Sequence, residues 1–203
     1  MTVQLSRNEI RAEVEKAIRG AGFDWGRAKD GGIMAAYLAG HGLPFLGTVT
    51  RCLDLAADNS APEDSLLAPV NAMLIAEYVA SIGEAWSSHV TALRFLAAGM
   101  GIVAIEQDVQ LGLSDDLGLL AYADKRGLYL RADGFSGGDR KVTLTAGELP
   151  CDQLDLCPWR DQTSVEASKD CWAKLGGYAF RTYVKETEEK RRAGAGAGDI
   201  DNS

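Results

Sequence analysis

The residues best placed to do chemistry lie near the C-terminal end of the chain. Arg181-Thr182-Tyr183-Val184 is followed by Arg191, then Gly194-Ala195-Gly196-Ala197-Gly198, then Asp201-Asn202. Alternating glycines let a backbone approach a ligand without Cβ interference, and they can aim N–H groups at an anion. Arg181 and Arg191 can each grip a carboxylate or phosphate through two parallel hydrogen bonds. Asp199, Asp201 and Asn202 offer only oxygen, which suits a hard divalent cation or a solvated terminus. The expectation is a small anionic ligand held by Arg181, Tyr183, Arg191, the backbone of Gly194, Gly196 and Gly198, and Asp201 and Asn202. Residues two apart on a helix face different ways, so Arg181 and Tyr183 converge only if the last helix ends or unwinds near Thr182. Composition alone describes residues 193–203 as a solvated Gly/Ala-rich tail.

Other residues carry weaker signals. His41 stands between Gly40 and Gly42 and is expected to be exposed, either as a candidate catalytic acid or base or as the loop residue that ends a helix. Gly99-Met100-Gly101-Ile102-Val103-Ala104 fits G-x-G-x-x-A, with Leu93 to Leu96 as the preceding strand and Asp124 after a later apolar run. That outlines a dinucleotide fingerprint, although the same residues suit a buried helix. His89 follows Ser87-Ser88, but no G-x-S-x-G elbow exists for a serine hydrolase. The four cysteines, Cys52, Cys151, Cys157 and Cys171, contain no C-x-x-C pair, and only two histidines accompany them. No metal site is predicted from that inventory. Cys52 and Cys171 fall on apolar helix faces. Cys151 and Cys157 suit free thiols or a redox pair.

The bulk composition narrows the partners. A net charge of −8 repels phosphate backbones and anionic lipid, so nucleic acid and membrane are not expected. The one dense basic run, Lys190-Arg191-Arg192, follows Glu186, Glu188 and Glu189 and suits a charged helix face. No apolar stretch is long enough to span a bilayer, and the first twenty residues lack the unbroken apolar region of a secretory signal. A cytoplasmic, reducing compartment is expected.

These residues must be positioned by a helix-rich frame. Ser6 and Glu9 form a capping-box pattern before an apolar stripe at Ile10, Val14, Ala17 and Ile18. Asp24 can cap a second helix, which Gly40-His41-Gly42 ends. Pro44 opens a third, with Phe45, Val49, Cys52, Leu53 and Ala56 on its stripe. Leu66 to Ser81 forms a buried helix, and Val90 to Leu113 fits helix or strand. Leu119–Ala123 and Leu128–Ala132 flank a turn ending in Gly127, and Lys141–Thr145 alternates as a third strand. Thr163 and Glu166 repeat the capping-box spacing before a last helix over 163–192 bearing Val165, Trp172, Leu175, Tyr178 and Ala179.

The C-terminal residues, together with Asn8-Glu9 and Gly20-Ala21-Gly22 to Trp25-Gly26-x-Ala28, resemble an uncharacterised bacterial family. That family is a domain of unknown function of about this length, and the resemblance implies no reaction. The sequence departs from the family's pattern at Lys185, Thr187 and Lys190, where proline and two serines are expected. Residues 6–55 are also similar in rhythm to the N-terminal helices of the non-classical NAD-dependent malate/lactate dehydrogenases. There a helix, Ala-Gly, an Ala-rich helix and a Gly-His-Gly turn precede a third helix. Only His41 can match that family's paired-histidine motif.

The expected fold is α+β: one helix-rich domain with a small, mainly antiparallel sheet of three or more strands over about residues 118–145. Its parts are a helical 1–58, a mixed 65–150, the helix 163–192 and the tail 193–203. The C-terminal helix is expected to cover the sheet. The leading functional expectation is a small-molecule site. The alternatives are an assembly protein acting as a homo-oligomer and an NAD(P)-dependent oxidoreductase-like protein. No cofactor is assigned.

Overall fold

In the computed structural model, residues 1–58, 65–131, 134–135, 140–149, 154–158 and 164–182 are described. Tyr183, Arg191, Gly194, Gly196, Gly198, Asp201 and Asn202 lie outside them, as do Cys151 and Thr163. The fold is α+β, rich in helix, with a mainly antiparallel sheet.

The helical layer begins after a short strand, β1 (Thr2–Leu5). Helix α1 (Arg7–Gly20) starts at the predicted capping box. Ser6 Oγ accepts from the Glu9 amide, and the Ser6 amide donates to the Glu9 carboxylate at 2.7 Å. Asp24 caps α2 (Trp25–Gly40) by accepting from the Arg27 amide. Helix α3 (Leu46–Ala57) has no side-chain cap at its N-terminus, where Phe45 occupies the cap position. The stripe expected on α3 is buried at Phe45, Val49, Cys52 and Leu53.

Strand β2 (Ser65–Leu67) leads into α4 (Ala68–Ile82), so the helix expected from Leu66 starts two residues later. The ambiguous stretch resolves into β3 (Trp86–Thr91), α5 (Leu93–Gln107) and β4 (Leu111–Asp115). Every residue of α5 from Phe95 to Ala104 is buried. A helix enclosed on all sides carries no polar stripe, which is why its period was hidden. Strands β5 (Gly118–Asp124), β6 (Gly127–Leu130), β7 (Arg140–Ala146) and β8 (Asp155–Leu156) complete one sheet in the order β2-β3-β7-β4-β5-β6-β8. Among these pairings only β2–β3 is parallel. The sheet is larger than the three-strand minimum because β2, β3, β4 and β8 join it from outside residues 118–145.

Two expectations fail at the C-terminal end. Residues 165–168 form a strand, β9 (Val165–Ser168), paired antiparallel with β1 from Thr2↔Ser168 to Leu5↔Val165. Helix α6 (Lys169–Phe180) therefore starts at Ser168, whose hydroxyl accepts from the Cys171 amide, and is shorter than 163–192. The sheet is covered by α4 and α5, while α6 packs on α1 and α3. Leu111, Leu113, Ala121, Ala123, Leu128, Val142 and Leu144 supply the covered face. Helices α4 and α5 reach it first because each is joined directly to strand β3. No helix among the described residues is long and apolar enough to cross a membrane.

Glycines set the helix spacing. A Cβ on Gly20 would lie 1.9 Å from the Tyr178 carbonyl oxygen of α6, and one on Gly32 would lie 2.6 Å from the Arg11 carbonyl of α1. A Cβ on Gly31 would meet the Pro69 carbonyl at 2.6 Å, and one on Gly99 the Ala72–Met73 backbone at 2.9 Å. A carboxylate holds the sheet's β4–β5 corner. The Asp115 side chain is 1% exposed and accepts from Arg140 Nη1 at 2.8 Å and from the Leu117 amide at 2.9 Å, with Arg131 4.0 Å away.

Three stability outcomes follow from these contacts. Gly20→Ala forces backbone apart and should lower stability by roughly 3 kcal/mol. Gly177→Ala, on an exposed helical site with nothing within 4 Å of the new Cβ, should raise it by about 0.5–1 kcal/mol. Asp115→Ala removes the carboxylate that Arg140 and the Leu117 amide donate to and should cost about 1–3 kcal/mol. Urea denaturation of the three variants measures all of these, and equal midpoints for Gly20→Ala and the parent protein would refute the close-contact account.

Candidate functional site

Helix α2 delivers His41 to the boundary between the helical layer and the sheet. His41 is the C-cap of α2, and its amide donates to the Tyr37 carbonyl at 3.1 Å. It is 6% exposed, not exposed as its neighbouring glycines suggested. The reason is the strand-edge segment that follows β8. The backbone of Cys157 and Pro158 hydrogen-bonds the imidazole, and the Cys157 amide is itself tied to the Leu128 carbonyl at 2.7 Å. The Tyr37 ring lies 4.5 Å from the His41 ring, tilted by 54°. The Tyr37 hydroxyl in turn sits over Gly101 of α5, where a Cβ would approach it to 2.7 Å.

Burial fixes the protonation of this pair. It pushes the Tyr37 phenol well above its ordinary range, with the nearby Cys157 adding to the effect. It also pushes the His41 imidazole below the histidine range, against the opposing pull of the Pro158 and Cys157 backbone bonds. Both groups are neutral at pH 7. The imidazole is thus enclosed where α2 meets the segment after β8.

Directly after His41 the chain opens a groove. Gly42, Leu43, Pro44, Phe45, Leu46 and Gly47 form one wall, and Val165, Glu166, Ala167, Ser168 and Cys171 form the other. Its volume is about 410 Å³. Leu43, Pro44, Phe45, Leu46, Val165 and Ala167 make it largely apolar. The starts of α3 and α6 both line it, at Phe45–Leu46 and at Ser168. Helix N-termini carry partial positive charge from their unpaired amides. Glu166 is the acidic side chain on the rim.

Arg181, the one described member of the predicted C-terminal site, lies at the other end of α6. Helix α6 ends at Phe180, and Arg181 is its C-cap, followed by a turn at Thr182. Its guanidinium stacks on the Tyr178 ring, 4.5 Å from the centroid. Tyr178 donates to Asp54 Oδ1 at 2.8 Å, and Lys174 bonds the other oxygen of Asp54. Burial, reinforced by that bond to Asp54, pushes the Tyr178 phenol up to about 12. Burial also raises the Asp54 carboxyl, but the Lys174 and Tyr178 hydrogen bonds outweigh it and hold the group below the ordinary range. The network joins α3 to α6.

The dinucleotide outline is overturned. Leu93 to Leu96 is the first turn of α5 and not a strand, so Gly99 and Gly101 lie inside a helix and not in a phosphate loop. Gly99 admits the α4 backbone and Gly101 admits Tyr37. Asp124 closes the β5–β6 hairpin by bonding the Arg126 amide at 2.8 Å and its guanidinium at 2.6 Å. Ser87 bonds Thr143 at 2.7 Å across β3–β7, and His89 stands opposite Lys141 on the same pair of strands. Cys52 is buried, and no disulfide joins the described cysteines, Cys52, Cys157 and Cys171. The wall Val165–Cys171 escaped the sequence reading because the β1–β9 pairing that places it is long-range. The uncapped start of α3 after Pro44 was a local signal that could have pointed to the opposite wall.

Comparison with known proteins gives little beyond the N-terminal part. No curated protein and no solved structure matches the chain. Residues 5–72, from the end of β1 to the first turn of α4, match the model of an uncharacterised family described as a protein of unknown function (DUF3726).

Proposed function

We propose that the chain binds a small anionic metabolite in the groove between the α2–α3 loop and the start of α6. The carrying observation is that groove: about 410 Å³, apolar along its walls, with two helix starts among its lining. The volume falls in the range of roughly 300–1,000 Å³ typical of small-ligand sites. Apolar walls hold a carbon skeleton, and helix-start amides suit a carboxylate or phosphate. Arg181 stands one helix length away, about 18 Å for the 12 residues of α6. Arg191 and Gly194, Gly196 and Gly198 follow it by 10 to 17 residues. At about 3.3 Å per residue that chain is long enough to reach the groove. The proposal therefore keeps Tyr183, Arg191, the three glycines, Asp201 and Asn202 as a second contributor to the same ligand.

A second reading is self-assembly. Leu74, Tyr78 and Ile82 form an i, i+4, i+8 ridge on α4 and are 54%, 46% and 51% exposed. Such a ridge can pack into the groove of an identical helix. Glu77 is the single charged residue of α4, and depletion of charge is typical of interface cores.

A thermal-shift screen with inorganic phosphate and a set of mono- and dicarboxylates tests the binding reading. A true ligand at a hundred times its Kd should add about 2.7 kcal/mol of stability, a rise of several degrees for a chain of this size. Gly47→Phe, which places a ring in the groove where a Cβ meets nothing within 4 Å, should abolish the shift. Deleting residues 193–203 should abolish it too if the tail contributes, with the helical circular dichroism unchanged. A shift that survives both changes rules out the groove and the tail together.

For the assembly reading, sedimentation should show mass rising with concentration in the parent protein. Tyr78→Glu should return the chain to 21.7 kDa. A parent protein that stays at that mass at its highest attainable concentration eliminates the reading.

A further inference from the structure

We infer that the chain's own C-terminal segment, Gly194–Ile200, seats as an added strand along the free edge of β9, inside the groove. The seat goes beyond the binding reading above: it stands on the strand edge and needs no anion.

The register of β1 and β9 fixes which backbone groups face the groove. The Lys169 amide donates to the Met1 carbonyl at 3.1 Å, so these two residues form a hydrogen-bonded pair. Opposed residues on antiparallel strands alternate between bonded and non-bonded pairs. Val3 with Ala167 and Leu5 with Val165 are therefore bonded pairs, and Thr2 with Ser168 and Gln4 with Glu166 are not. The Glu166 amide and carbonyl and the Ser168 amide point away from β1, while the Ser168 carbonyl begins the hydrogen bonding of α6. Among the described residues no strand pairs with that side of β9. The groove runs along it. All four residues from Val165 to Ser168 line the groove. Successive side chains of a strand point to opposite faces, so a cavity on one face touches every second residue. A cavity lined by four in a row lies beside the edge. An unpaired edge is a template for another strand, whose main-chain bonds supply the affinity.

The C-terminal segment suits this edge in pattern, reach and concentration. As a strand it turns Gly194, Gly196, Gly198 and Ile200 to one face, and Ala195, Ala197 and Asp199 to the other. The glycine face lets the strand lie flat between two backbones, and Ile200 continues that face with the segment's one large apolar side chain. The carboxylate of Asp199 lies on the opposite face. Thr182, the last described residue, stands at the far end of α6, about 18 Å from the groove. At about 3.3 Å per residue, residues 183–193 span up to about 36 Å, twice that distance. A segment tethered in this way is held at roughly millimolar effective concentration, which favours it over a free peptide or the tail of a second copy. The edge of four residues, about 13 Å long, seats a like length of it.

Amide hydrogen exchange at constant pH, without added anion, tests this on the intact chain. The Glu166 amide, for which β1 supplies no partner, should be protected at least about tenfold over the same amide in a chain lacking residues 193–203. The Leu5 amide, bonded to Val165 across the strand pair, should be equally protected in both. A full-length variant with Gly196→Pro and Ala197→Pro loses one edge-facing amide whichever face the strand presents, and its Glu166 protection should fall as far. If truncation also exposes Leu5, the strand pair itself has opened, and the proline variant decides. Equal exchange of Glu166 in the intact and altered chains overturns the seat. Protection that rises with protein concentration overturns it too, since the edge then holds the tail of a second copy. Failure of every anion to raise the melting temperature removes the binding reading and leaves the exchange result standing.

Discussion

The structure depends on helices that meet backbone to backbone. Gly20 of α1 lies under the Tyr178 carbonyl of α6, Gly31 and Gly32 of α2 lie against Pro69 and Arg11, and Gly99 of α5 lies against Ala72–Met73 of α4. None of these positions has room for a methyl group. Each contact brings two helix axes closer than side-chain interdigitation allows, and dispersion between the closely packed backbones repays the approach. Helix α2 is gripped on both sides, by α1 through Gly32 and by α4 through Gly31. Its C-terminus therefore has little freedom, and His41 is carried to a fixed point beside the sheet edge. Gly101 performs the same service for Tyr37, whose ring then covers His41. The burial of a histidine between two glycines is thus a consequence of glycines elsewhere in the fold.

Charge is handled locally in this acidic chain. Asp115, Asp124 and Asp54 are each met by arginine, lysine, tyrosine or backbone donors. Arg181 fits this pattern. Its guanidinium covers the ring of Tyr178, whose hydroxyl serves Asp54, and Asp58 also acts on that phenol. An anion arriving at Arg181 would meet two aspartates and the carbonyl end of α6, which carries partial negative charge. The other end of α6 has the opposite polarity and opens on the groove. The dipole of one helix thus favours the groove over Arg181 as the place where an anion would rest.

Local signals were legible and long-range ones were not. Ser6 with Glu9, and Asp24, announced the starts of α1 and α2 because capping is decided within four residues. The hairpin at Gly127 and the alternation of Val142 and Leu144 were equally local. The family expected from the sequence was that of an uncharacterised domain, and the match over residues 5–72 agrees with it. The start of α6 was misread because Thr163-x-x-Glu166 imitates a capping box. The residues that decide otherwise, Thr2 to Leu5, lie some 160 positions away. The cover of the sheet was assigned to the wrong helix for a related reason: α5 is apolar on every side and offered no period to follow. Gly99 and Gly101 show a further ambiguity. A glycine admits a phosphate or another backbone by the same absence of a Cβ, and only the element around it tells the two apart.

The exposure of His41 was misjudged on the same principle. Glycine neighbours say that a chain turns; they do not say what the turn faces. Here it faces the strand edge at Cys157–Pro158, which is joined to the sheet through β8 and the Leu128 carbonyl. The turn thereby becomes a joint between two layers that otherwise meet through the packing of α2 on α4 and α5. Such a joint is held by hydrogen bonds to a titratable ring, whereas the glycine contacts beside it involve no ionisable group. The groove starts one residue beyond that joint, so the turn that meets the sheet edge also begins one wall of the groove.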